Sequence, residues 1–150
     1  STRRAARRLG NVACIRLDVT ESLPDLAAVA APRFLLDDPE VGFVASVNLL
    51  SQLAAVPTRE MAEAEADRLG RALVEAHLAW LRRLPCPAAI VFDRRVELVA
   101  PDGGVIAGFD PLMGADVPPA DETWIWDIAP RGEVDRDHAV RHLVAAVDRV

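Results

Sequence analysis

Two acids in this 150-residue chain close apolar runs, the arrangement in which a carboxylate meets a ligand. Asp18 ends Val12-Ala13-Cys14-Ile15-Arg16-Leu17, and Asp93 ends Ala88-Ala89-Ile90-Val91-Phe92. A strand-end acid also commonly caps the following turn, and for Asp18 that turn leads to Ser22-Leu23-Pro24. Arg94 and Arg95 follow Asp93 directly, so an exposed ion pair is the reading for that acid. Ser46 and Asn48 are the polar positions near the end of the apolar run Val41–Leu50. Polar side chains at the carboxyl ends of parallel strands face the crevice where ligands bind. The alternative for Asn48 is a buried amide that ties neighbouring loops together.

The remaining reactive residues read as structure. His138 and His142 are four apart and could share a helix face toward a metal, with Asp135 or Asp137 nearby, but no third firm ligand accompanies them and a surface role is expected. His77 lies beside an apolar helical stripe and is read as packed or hydrogen-bonded. Trp124 and Trp126 share one face of a strand, where a hydrophobic cover over a sheet is the default and stacking on a planar ligand the alternative. Cys14 and Cys86 are far apart with no metal or disulfide spacing, so a reducing cytoplasm is the default compartment. No Gly-x-Ser-x-Gly elbow and no Gly-Lys-Ser/Thr phosphate loop occurs, which leaves hydrolase and nucleotide-phosphatase chemistry unsupported.

Composition narrows the partners. With 51% hydrophobic and 27% charged residues, the chain falls in the range of one globular domain. A net charge of -6 and no basic stripe remove the term that dominates nucleic-acid affinity. No apolar run reaches the roughly 18 residues of a membrane span, so neither nucleic acid nor membrane is an expected partner. All 17 basic residues are Arg and Tyr is absent, a bias read as genomic GC content. The start, Ser1-Thr2-Arg3-Arg4-Ala5-Ala6-Arg7-Arg8-Leu9-Gly10, is already in helical rhythm. The expectation is a fragment or processed product, with a trimmed chain as the alternative.

The elements that must position these residues follow from periodicity and breakers. Residues 3–9 read as a helical end stopped by Gly10-Asn11, and Val12–Val19 as a buried strand. Asp25–Ala31 is a short helix closed by Pro32, and Val41–Leu50 a second buried strand. Thr58 is a plausible cap for a long helix whose stripe is Leu69, Leu73, Ala76, Trp80 and Leu84. Ala88–Asp93 is a third strand, continued by Arg94–Val99 into a turn at Asp102-Gly103-Gly104 and a return strand, Val105–Phe109. A Pro-rich loop, Pro111–Asp121, precedes a strand at Thr123–Ile128, and Ala139–Val150 fits strand or helix. Alternating units of this kind predict a parallel sheet with helices on its faces.

With this layout the chain resembles class I S-adenosylmethionine-dependent methyltransferases entered after their second strand. The resemblance rests on Ile15-Arg16-Leu17-Asp18-Val19, on Val44-Ala45-Ser46-Val47-Asn48-Leu49-Leu50-Ser51-Gln52-Leu53, and on Ile90-Val91-Phe92-Asp93. The stretch Trp124–Glu133 is similar to segments of methyltransferase-like bacterial proteins. The resemblance implies a Rossmann-like α/β sheet, truncated at its N-terminus and carrying a β-rich C-terminal tail, with residues 1–150 forming the C-terminal two-thirds of one domain. It also implies S-adenosylmethionine as cofactor. Asp18 and Val19 would lie at the adenine, Ser46 and Asn48 would face the cofactor's methionine, the substrate or both, and Gln52 would lie toward an unknown small-molecule or protein acceptor.

The departures carry consequences. The family's Gly-rich loop after the first strand and the acid after the second are not found in these residues, so the cofactor cradle is missing and weak binding and an inactive chain are expected. The family's first and second strands lie between its third and fourth, and without them those strands expose unpaired edges. Poor autonomous stability is therefore expected. Two functions follow: a methyltransferase fragment acting largely by positioning its reactants, or a non-catalytic methyltransferase-like binding or structural module.

Overall fold

The computed structural model describes residues 10–134 and 136–150 as a mixed α/β arrangement, mostly strands with one α-helix. The helix α1, Glu63–Leu81, lies between strand β1, Val44–Val47, and the twelve-residue strand β2, Ala88–Val99. The tail adds β3 (Val105–Phe109), β4 (Glu122–Ala129) and β5 (Ala139–Val147). Through hydrogen-bonded neighbours the sheet runs β1-β2-β5-β4, with β3 also paired to β2. Among the described strands only β1 and β2 are parallel, so the sheet is mixed where a parallel one was expected.

The central strand β2 organises everything else. Along one edge it pairs with β5 from Ile90 to Val99. Its other edge is shared, with β1 against Ala88–Val91 and β3 against Val96–Val99. Residues 92–95 on that edge therefore face no strand, and a notch opens between the carboxyl end of β1 and the end of β3. The register with β5 shifts between Asp93 and Arg95, a bulge that leaves Arg94 outside the ladder.

Directly paired residues share a sheet face, so the register sorts the side chains. Ile90 and Phe92, with Ala145 and Val147, face α1 and join Val74, Leu78, Trp80 and Leu81 in the main core. The helix stripe falls close to expectation, with Leu69, Leu73 and Trp80 buried and His77 buried among them. Phe34 stacks on Trp80 with ring centroids 4.3 Å apart, and its carbonyl accepts from Trp80 Nε1 at 2.8 Å. Leu112, from the Pro-rich loop, completes this layer.

Several expected elements differ. Val12–Val19 is extended coil and turn, outside the sheet. A strand needs a neighbouring ladder, and none is offered to it among the described residues. The short helix shrinks to a 3-10 turn at Leu26–Ala28, capped by the Asp25 side chain. Thr58 does not cap α1, which begins after Ala62 without a side-chain cap; instead its hydroxyl donates to the Ala54 carbonyl at 2.8 Å. Glu63 and Glu65 still occupy the first turn, where negative charge complements the helix dipole. Ala139–Val147 is strand, because β2 and β4 supply ladders on both its edges. The expected helical end at residues 3–9 lies outside the described residues.

Candidate functional site

Polar chemistry gathers at the notch. Asp93, on β2, is buried at 4% exposure, so the expected exposed ion pair with Arg94 and Arg95 does not form. Arg95 instead pairs with Glu97 at 3.0 Å, and Glu97 also accepts from Arg141 at 2.7 Å. Up to Phe92 the strand alternates regularly. The bulge then takes Arg94 out of the ladder, and Asp93 is left sharing a face with Val144 and Val96. Its Oδ2 accepts from the Ser51 hydroxyl at 2.8 Å, delivered by the 3-10 turn Leu50–Gln52 that follows β1.

His142 reaches the same carboxylate from β5. Its Nδ1 lies 3.0 Å from Asp93 Oδ1, within ion-pair distance. The approach is off the hydrogen-bond direction, and Oδ1 has no hydrogen-bond partner. A carboxylate so placed favours the tautomer with its proton on Nδ1, which leaves Nε2 as an acceptor. His142 thus belongs to an Asp–His pair on a strand, whereas a surface or metal role was expected from its spacing to His138. No cluster of three or more potential metal ligands occurs among the described residues.

A cavity of about 420 Å³ opens at this cluster, with Ser51, Gln52, Asp67, Asp93 and His142 on its polar side. Phe109, Pro111 and Met113 contribute an apolar wall. Asp110 also lines it, but its two oxygens accept from the backbone N–H of Leu112 and Gly114, each at 2.8 Å, and so hold the loop.

The residues expected to hold a cofactor are not gathered at this cavity. Asp18 caps its own turn: Oδ1 accepts from Thr20 N at 2.9 Å and Thr20 Oγ1 at 2.7 Å, and Oδ2 from Leu23 N at 3.1 Å. Partial burial works against its ionisation, but the hydrogen bonds from Thr20, Leu23 and Glu21 outweigh it and hold the carboxyl below the usual range. Val19 packs with Leu49 on a satellite cluster of Leu53, Leu69 and Leu73. Ser46 turns toward α1, its hydroxyl 3.0 Å from His77 Nε2. Asn48 adopts a left-handed backbone at φ 52°, and its N–H donates to the Val91 carbonyl at 2.7 Å. Its side-chain Oδ1 is buried without a partner. Gln52 is exposed at the cavity mouth.

His77 is packed as expected. Its Nδ1 has no partner, and burial lowers its pKa to about 4. Trp124 and Trp126 share a face, as read, but remain 39% and 46% exposed on the side of the sheet away from α1. Sequence reasoning missed Ser51, Asp93 and His142 as a group. The only signal that could have found them was Asp93 itself, at the end of an apolar run.

Comparison with known proteins adds no relative: no family model, no curated protein and no solved structure matches this chain.

Proposed function

We propose that the chain is part of an S-adenosylmethionine-dependent methyltransferase and carries the acceptor side of that domain, moving a methyl group to an unidentified small molecule or protein. The observation behind this reading is the unit β1-α1-β2, two adjacent parallel strands joined through a helix. Asn48, Ser51 and Gln52 lie just past the carboxyl end of β1, and Ser51 and Gln52 line a cavity there. Ligands in doubly wound sheets bind outside the carboxyl ends of parallel strands, and the fourth and fifth strands of such sheets are neighbours, as β1 and β2 are here. The antiparallel tail is compatible with this, because mixed sheets of that class are common.

The cofactor itself fits these residues only in part. Asp18 and Ser46 have committed their polar atoms elsewhere, and Val19 is packed in an apolar cluster. Asn48 alone keeps an unpartnered oxygen. The described residues are thus no complete cradle for S-adenosylmethionine, and the chemistry they offer lies with the acceptor. The same commitments of Asp18 and Ser46 favour the second reading, a non-catalytic methyltransferase-like module.

Calorimetric titration with S-adenosylhomocysteine separates the two, using the chain joined to whatever residues precede Ser1 in its reading frame. Saturable heat is expected, together with a strand, a Gly-x-Gly-type loop and a strand-end acid in those residues. No heat at millimolar ligand overturns the enzyme reading.

A further inference from the structure

We propose that the notch of the sheet binds a small organic amine, in its ammonium form and with an apolar body, between His142, Ser51 and the carboxylates of Asp93 and Asp67. The inference stands on the cavity's own chemistry.

The volume, about 420 Å³, is within the ordinary span for small-molecule pockets, roughly 300 to 1,000 Å³. Charge chooses the class of ligand. Among the described residues Asp67, Asp93 and Asp110 line the cavity, and no arginine does. Of the guanidinium groups near it, Arg71 donates to the Met113 carbonyl at 3.0 Å and Arg95 pairs with Glu97, while Arg94 is bulged out of the ladder and exposed. A site with several carboxylates and low-dielectric walls concentrates cations and repels anions.

Hydrogen-bonding capacity points the same way. Asp93 is almost wholly removed from water, with one oxygen satisfied by Ser51 and the other lacking a hydrogen bond. A buried carboxylate left in that condition is costly unless a positive charge lies close by. With its Nδ1 turned to Asp93, His142 offers Nε2 as an acceptor, and no hydrogen bond to that nitrogen occurs among the described residues. Ser51 donates its proton to Asp93, so its oxygen is left as an acceptor too. The polar side therefore accepts hydrogen bonds and carries negative charge, which an ammonium group with three donors complements. Val96, Phe109 and Met113 supply apolar surface for the rest of the molecule.

The test is calorimetric titration of the whole chain, without cofactor, using three probes of similar shape: phenethylamine, 2-phenylethanol and 3-phenylpropionate. Phenethylamine is expected to bind saturably and at least about tenfold more tightly than the alcohol, and the carboxylate not at all. Asp93→Asn is expected to weaken the amine about tenfold or more, and Asp67→Asn, at an exposed helix position, severalfold. Where Asp93→Asn loses its cooperative thermal transition, Asp67→Asn decides alone. Equal binding of amine and alcohol, binding of the carboxylate, an amine affinity unchanged by the substitutions, or no amine binding at millimolar concentration overturns the proposal. Because no cofactor is present, none of these results bears on S-adenosylhomocysteine binding.

Discussion

His77 shows how burial converts a titratable side chain into a pH-dependent element of stability. It is 2% exposed, and its folded pKa of about 4 lies below the ordinary histidine value of 6.5. Below pH 6.5 the unfolded chain takes up a proton that the native chain refuses, so the contribution of His77 is fully present above 6.5. It is lost as the pH falls toward 4, an effect on the order of 3 kcal/mol. Urea midpoints at about pH 7 and pH 4.5 should therefore fall steeply for the native chain and much less for His77→Gln. Equal slopes would count against this. The residue was legible as packed from its place beside the helix stripe, but its partner Ser46, thirty-one positions away, was not. Asp93 was misread because two arginines follow it, and sequence neighbours of an acid reveal nothing about a bulge that takes one of them out of the ladder.

At the scale of elements, α1 is fixed by its stripe and by a close approach at Gly70. A Cβ there would come within 1.8 Å of the Met113 sulfur and 3.0 Å of Ala54 Cβ. Alanine normally gains about 1 kcal/mol over glycine inside a helix, whereas overpacking costs about 1 to 3 kcal/mol. Gly70→Ala is expected to destabilise by about 1 kcal/mol net, because Met113 lies in a loop held at φ 55° and tied to Arg71. Adding Met113→Ala should make Gly70→Ala neutral or stabilising, a coupling that a double-mutant cycle in urea reads directly. Such a contact was not legible in the sequence, which shows glycine inside the helix but not what passes over it. The helix, the hairpin of β2 and β3, and β4 were legible because their periodicity and turn residues are local. The start of α1 was not, since Thr58 found a nearer carbonyl to satisfy. Val12–Val19 has the pattern of a strand, yet a strand is made by its neighbour.

For the whole molecule, the decisive asymmetry is that α1 covers one face of the sheet. On the other, Val47 and Phe109 are 61% and 60% exposed, and Trp124 and Trp126 face the same side from β4, two or more strands away. Exposed apolar surface of this kind drives association. Sedimentation velocity is expected to show concentration-dependent self-association, reduced by combining Val47→Lys with Phe109→Lys; a monomer at all concentrations would refute it. The orphaned strand edges expected from the sequence concern the same stability, and a sharp, cooperative thermal transition would argue against that expected topology. The mixed α/β class and the β-rich tail were legible as patterns, whereas the exposed face was not, because an apolar strand residue looks the same whichever layer covers it. The notch in β2 has one more consequence, in the language of hydrogen exchange. Among the described residues, the strand with the most partners is unpaired along one edge at 92–95, so its backbone should be a slowly exchanging ladder with a fast window in the middle, at the acid that lines the cavity.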